Sequence, residues 1–126
     1  MQKVFLGARV ILGLIFVIFG LNFFLHFIPM PPPGPQEAQD FLGALFKVGY
    51  MFPIIKVLEI VFGLALVAGV FVPLALVVLA PIVVNIALVH FILDTSGAGM
   101  AALLIVLMLL VAWSYRSVFA VLLKAK

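Results

Sequence analysis

Apolar residues fall in four long blocks separated by short polar or proline-rich stretches. The first block, 4–27, is broken only by Arg9, Asn22 and His26 among strongly polar residues. The second, 53–71, carries Lys56 and Glu59 in its first third, and the third, 73–93, carries Asn85 and His90. The fourth, 98–123, is nearly featureless until Trp113-Ser114-Tyr115-Arg116. About 20 predominantly apolar residues suffice for a helix to cross a bilayer, so each block predicts a spanning helix. Residues 69–73 form a turn too short and too uncharged to do anything but join antiparallel neighbours. Pro81, inside the third block, predicts a kink there.

The connection between the first two blocks reads differently. Pro29, Pro31, Pro32, Pro33 and Pro35 favour an extended, polyproline-like segment. Residues 36–48 then alternate at helical period, with Ala38, Phe41, Leu42 and Leu45 on one stripe and Gln36, Gln39, Asp40 and Lys47 largely opposite. This helix is too short and too polar to span, and lying in the membrane interface suits it. The expected fold is therefore an all-α membrane protein. It is a single domain over 1–126, an antiparallel bundle of four transmembrane helices with an interfacial amphipathic helix between the first two.

Composition strengthens the membrane reading. Of 126 residues, 68% are hydrophobic and 9% charged, against about 25% charged in soluble domains, so the bilayer must be the principal solvent. The net charge of +3 comes from few basic residues placed at helix ends, which is a topology signal and not a nucleic-acid footprint. Lys3 and Arg9 stand at one end of the first helix, and Arg116, Lys124 and Lys126 at the end of the fourth. The positive-inside rule puts both termini in the cytoplasm, and a bacterial-type inner membrane is the expected setting. The first block is too long for a signal-peptide core and lacks a small-x-small cleavage site, so it reads as an uncleaved span. The absence of cysteine excludes disulfides, thiolate nucleophiles and dithiol redox chemistry by this chain.

That topology sorts the polar groups by depth. Asn22 and His26, Lys56 and Glu59, and Asn85 and His90 all fall in the outer half of the bilayer, with Asp94 at the exit of the third helix. Lys56 and Glu59 are three residues apart, on one helix face. Such a pair either neutralises itself as a structural element, with Lys56 snorkelling outward, or forms one wall of a polar pocket that exchanges a proton or holds a polar head group. The same six residues, Glu59, Lys56, His90, Asn85, Asn22 and His26, are the ligand-binding candidates. No metal site is expected, because His26, His90 and Glu59 show no ligand spacing. No catalytic motif is visible. On the inner side Arg9, Tyr115 and Arg116 are candidates that lack a nearby carboxylate, and lipid phosphate or backbone carbonyls would serve the arginines. Arg9 would approach Glu59 if the first helix sat deeper. Gly13, Phe16 and Gly20 share the face of Arg9, and the two glycines there allow close approach by another helix.

Ala8-Arg9-Val10-Ile11-Leu12-Gly13-Leu14-Ile15-Phe16 and Gly20-Leu21-Asn22-Phe23-Phe24 resemble the opening of DoxX-family membrane proteins. Lys56 to Gly63 around Glu59, Pro73 through Ala80-Pro81-Ile82-Val83-Val84-Asn85-Ile86 to His90, and Trp113-Ser114-Tyr115-Arg116 fit the same pattern. The resemblance implies a four-helix membrane bundle. For some members it implies quinone-coupled thiosulfate oxidation, for others assemblies handling oxidative and thiol stress. The function expected from it is a small membrane subunit of a redox system that binds a quinone or similar lipophile, working with a redox partner protein or as a homo-oligomer. A non-enzymatic scaffold and a small oligomeric transporter are the alternatives.

Overall fold

The computed structural model describes residues 2–27, 34–93, 95 and 98–124. These residues are almost entirely helical: α1 (Gln2–Leu25), α2 (Gln36–Lys47), α3 (Met51–Ala68), α4 (Val72–Leu88), α5 (Ala98–Ser114) and α6 (Arg116–Leu122). A π-helical turn, Val89–Leu93, continues α4. The proline-rich run 29–33, Asp94 and Lys126 lie outside the described residues.

Among the described residues three helices are long and apolar enough to cross a membrane: α1, α3, and α4 with its π-helical turn. A fourth span exists if α5 and α6 are counted together, but the two are bent by 86° at Tyr115. α1 packs on α3 and α5, and α4 packs on the other side of both. Leu12 and Phe16 from α1, Leu66 from α3, Leu79 from α4, and Leu104 and Val111 from α5 meet in one core. The outward faces carry large apolar side chains such as Val61, Leu64, Leu88 and Leu109. Apolar lipid gives such helices little hydrophobic reason to associate, so close packing must hold them together.

The closest packing is between α1 and α3. A Cβ added at Gly13 would sit 2.6 Å from the carbonyl oxygen of Gly63, and one added at Gly63 would sit 2.9 Å from that of Gly13. Further along, a Cβ at Gly20 would lie 2.7 Å from Ile60 Cγ1 and 3.2 Å from the Lys56 carbonyl oxygen. At the opposite end the guanidinium of Arg9 lies against Gly69. Numbers rise on one helix as they fall on the other, so the two are antiparallel. The glycine face read from spacing in α1 is the face that α3 occupies.

α3 and α4 are joined by the tight turn at residues 69–71. Gly69, at φ 78°, closes α3 in the left-handed region that glycine enters without strain. The N–H groups of Gly69 and Val70 both donate to the Ala65 carbonyl, at 2.9 and 3.0 Å. α4 remains helical on both sides of Pro81. The expected α-helix of 73–93 instead loosens after Leu88 into the π-turn that holds His90.

The fourth apolar block departs from a single helix over 98–123. Three successive carbonyls at the end of α5 are taken by groups from the next residues. Ser114 Oγ donates to Val111 O at 2.6 Å, Tyr115 N to Ala112 O at 3.0 Å, and Arg116 Nη1 to Trp113 O at 2.9 Å. The Arg116 guanidinium also stacks over the Trp113 ring at 4.7 Å, a cation–π contact. With its last turn closed locally, α5 stops. The Tyr115 carbonyl then accepts from Val118 N at 3.0 Å and Phe119 N at 3.2 Å to start α6 in a new direction. An aromatic–basic belt marks where a span meets water. The apolar residues beyond it, Val118 to Leu123, would project into water if the helix ran straight.

α2 packs on α3 and on the π-turn. Ala38 is fully buried, Leu42 and Leu45 are half-buried and Phe41 is exposed, so most of the predicted stripe faces the protein. Phe46 from α2, Phe23 from α1 and Phe52 from α3 form an aromatic cluster, with Phe23 and Phe52 stacked at 5.9 Å. The cluster fixes the end of the α1–α3 pair on which α2 sits.

Candidate functional site

Two charged regions stand at different heights on the α1–α3 pair. The first is on α3 itself. Glu59 is 3% exposed and, like Asn22, is a buried polar residue among those described. It comes from the α3 face that also buries Gly63 and Leu66. The Lys56 ammonium stands 3.2 Å from Glu59 Oε2, one helical turn back. Oε2 is buried and makes no directed hydrogen bond among the described residues, so charge and not angle holds the pair. The two partners are unequally covered: the Lys56 side chain is 21% exposed and that of Glu59 4%. Lys56 can lean along its stem toward the end of the span, while Glu59 has no such reach.

Asn22 is buried, although it stands well away from the glycine face of α1. The reason is that α1 is covered on two sides, by α3 and by α5, so the flank carrying Ala8, Leu12 and Asn22 is also interior. His90 is half-buried on the π-turn, where that turn packs on α5 and α2. Its Nδ1 is buried without a hydrogen-bond partner among the described residues. Widened π-turns recur at functional positions.

The other two outer candidates stand apart. Asn85 is exposed on the outward side of α4, since the buried face runs through Ala75, Leu76, Leu79 and Val83 and Asn85 is half a turn beyond it. His26 is exposed at the end of α1 with φ 53°, its N–H donating to the Asn22 carbonyl at 2.8 Å to finish the helix. The structure thus places Glu59, Lys56, Asn22 and His90 inside or at the edge of the protein, and Asn85 and His26 outside it.

The second region is at the opposite end of the α1–α3 pair. A cleft of about 340 Å³ opens there between the first turns of α1 and the α5–α6 bend. α1 contributes Gln2, Phe5, Leu6 and Arg9, and the bend contributes Ser114, Tyr115 and Arg116. The three inner-side candidates therefore meet at one cavity. Arg9 does not approach Glu59. Its guanidinium rests against Gly69, where a Cβ would be 3.0 Å from Cζ and both Nη atoms, and Gly69 is ten residues beyond Glu59, about 15 Å along a helix. The cleft escaped sequence reasoning because it depends on the bend at Tyr115. The signal available was Ser114 and Arg116 at the end of an apolar block, able to close its last carbonyls.

A model of the DoxX family matches residues 4–91, from α1 into the π-turn. Searches found no matching curated protein and no matching solved structure.

Proposed function

The chain belongs to the DoxX family, and on that premise we propose that it is a small membrane subunit of a redox or oxidative-stress system that binds a quinone-like lipophile beside Glu59. In this reading α1, α3, α4 and α5 are four antiparallel spans of a bacterial inner membrane, with both termini cytoplasmic and α2 in the outer interface. The observation that carries it is the covered Glu59 carboxylate, facing Lys56 at 3.2 Å outside hydrogen-bonding angles. A buried carboxylate oxygen is left short of donors at considerable cost. A hydroquinone hydroxyl would donate to it, and the Lys56 ammonium would donate to a quinone carbonyl. His90 Nδ1 and the Asn22 amide are secondary polar contacts at the same end. A redox partner protein or a second copy would complete the electron path, since this chain has no cysteine.

The test is extraction and mass analysis of the purified protein, followed by titration with a short-chain benzoquinone. A co-extracted quinone, or saturable binding that Glu59→Gln abolishes without unfolding the protein, is the expected result. No quinone in the extract and no saturable binding overturns the reading. A scaffold role would then stand in its place, favoured by Asn85, whose exposed amide on an apolar helix suits contact with a neighbouring helix.

A further inference from the structure

We propose that the cleft between the start of α1 and the α5–α6 bend is a binding site for the phosphate of an anionic phospholipid. Arg9 and Arg116 line it, and among the described residues no acidic side chain does. Glu59 is the one acid on α3, and it sits about 15 Å further along that helix. Glu37 and Asp40 belong to α2, which packs near the other end of the α1–α3 pair. The cations of the cleft must therefore take their counter-charge from outside the described chain.

Arg9 is also committed in place. Its guanidinium lies flat on Gly69, a position that any side chain at 69 would crowd. Its Nε is buried and has no hydrogen-bond partner among the described residues. Arg116 is held from the opposite wall, by its bond to the Trp113 carbonyl and by stacking on the Trp113 ring, which occupy one nitrogen and one face and leave the other donors of the fork. Guanidinium forks recognise phosphate oxygens in pairs. Tyr115 lines the same wall, and Phe5 and Leu6 give an apolar side against which glycerol and acyl carbons fit.

The source is a lipid and not a free anion because of where the cleft lies. It opens where the aromatic belt Trp113–Tyr115 ends the α5 span and α6 turns by 86°. That is the depth of phospholipid head groups, and basic pockets between spans at that depth bind anionic lipids. The α5–α6 bend is thus the device that builds the site.

Native mass spectrometry of the full chain in one detergent, titrated with phosphatidylglycerol and with phosphatidylcholine of matched chains, tests this. Phosphatidylglycerol should be retained preferentially, and Arg9→Gln and Arg116→Gln should each lower that preference by about fivefold. Lys47→Gln, on α2, should leave it unchanged. Arg116 is exposed, so its variant keeps the test meaningful if Arg9→Gln fails to fold. Equal retention of the two lipids, or a preference that survives Arg116→Gln, overturns the proposal. So does full displacement of phosphatidylglycerol by millimolar glycerol phosphate, which would make the ligand a free anion. Quinone binding plays no part in any of these readouts.

Discussion

The two charged regions of this protein solve the same problem in opposite ways. On the buried face of α3, Lys56 and Glu59 neutralise each other across 3.2 Å, and the protein supplies both signs. At the cleft, Arg9 and Arg116 line one cavity with no acid on its walls among the described residues. In the first arrangement the counter-charge comes from the chain itself, so its charge balance belongs to folding. The second is open, so its energetics depend on what the membrane offers. Few charges in a bilayer protein do not form one class: whether a partner comes from the chain or from the surroundings decides what each can do.

The sharpest way to break the comparison is to break the seam that holds both regions at fixed heights. Gly13→Leu would drive a side chain into the Gly63 backbone, which cannot yield as a flexible side chain would, since even a bare Cβ lies 2.6 Å from the carbonyl oxygen. Overpacking of this kind costs about 3 kcal/mol, and the thermal midpoint in detergent should fall accordingly. Gly7→Ala faces open space and should not lower the midpoint. If Gly13→Leu melts like the native protein, α1 and α3 are not in close contact, and neither region has the geometry described.

That seam was also the most legible part of the fold. Gly13, Phe16 and Gly20 recur at helical spacing, and a small-residue face has a single physical use in lipid, which is backbone approach. The amphipathic α2 was legible because polar and apolar residues alternate on it. Asn85 was not placed correctly by depth alone, because α4 is apolar all round. When lipid and core are equally apolar, hydrophobicity carries no information about rotation around the helix axis, so the amide could be assigned a height but not a side. The bend at Tyr115 was hidden for a different reason. It uses neither proline nor glycine but three local hydrogen bonds from Ser114, Tyr115 and Arg116, residues that equally suit the end of a straight span. The cleft is a consequence of that bend and was hidden with it.

A second experiment probes the closed region by its asymmetry. Removing the cation strands a covered carboxylate, so Lys56→Met should cost about 3 kcal/mol. Glu59→Gln leaves Lys56 free to extend along its stem toward water, and should cost about 1 kcal/mol. The double variant Lys56→Met with Glu59→Leu should be more stable than Lys56→Met alone, because it removes the stranded charge as well. Denaturation midpoints of the three variants decide this. Should Lys56→Met prove no costlier than Glu59→Gln, Glu59 is relieved either by a second partner or by taking up a proton.

The smallest effect separates the two regions most directly. Raising salt from about 0.1 M to about 1 M shortens the screening length from about 10 Å to about 3 Å. Ions reach an open cleft, so the preference for phosphatidylglycerol over phosphatidylcholine should fall by roughly twofold over that range. They do not reach a carboxylate that is 3% exposed, so the cost of Lys56→Met should be the same at both salt concentrations. The comparison turns on this difference and not on either value alone. If the cost of Lys56→Met shrinks in salt alongside the lipid preference, water and ions enter the α3 seam, and Glu59 belongs with the open region. If neither changes, ions do not enter the cleft, and it is as closed as the seam.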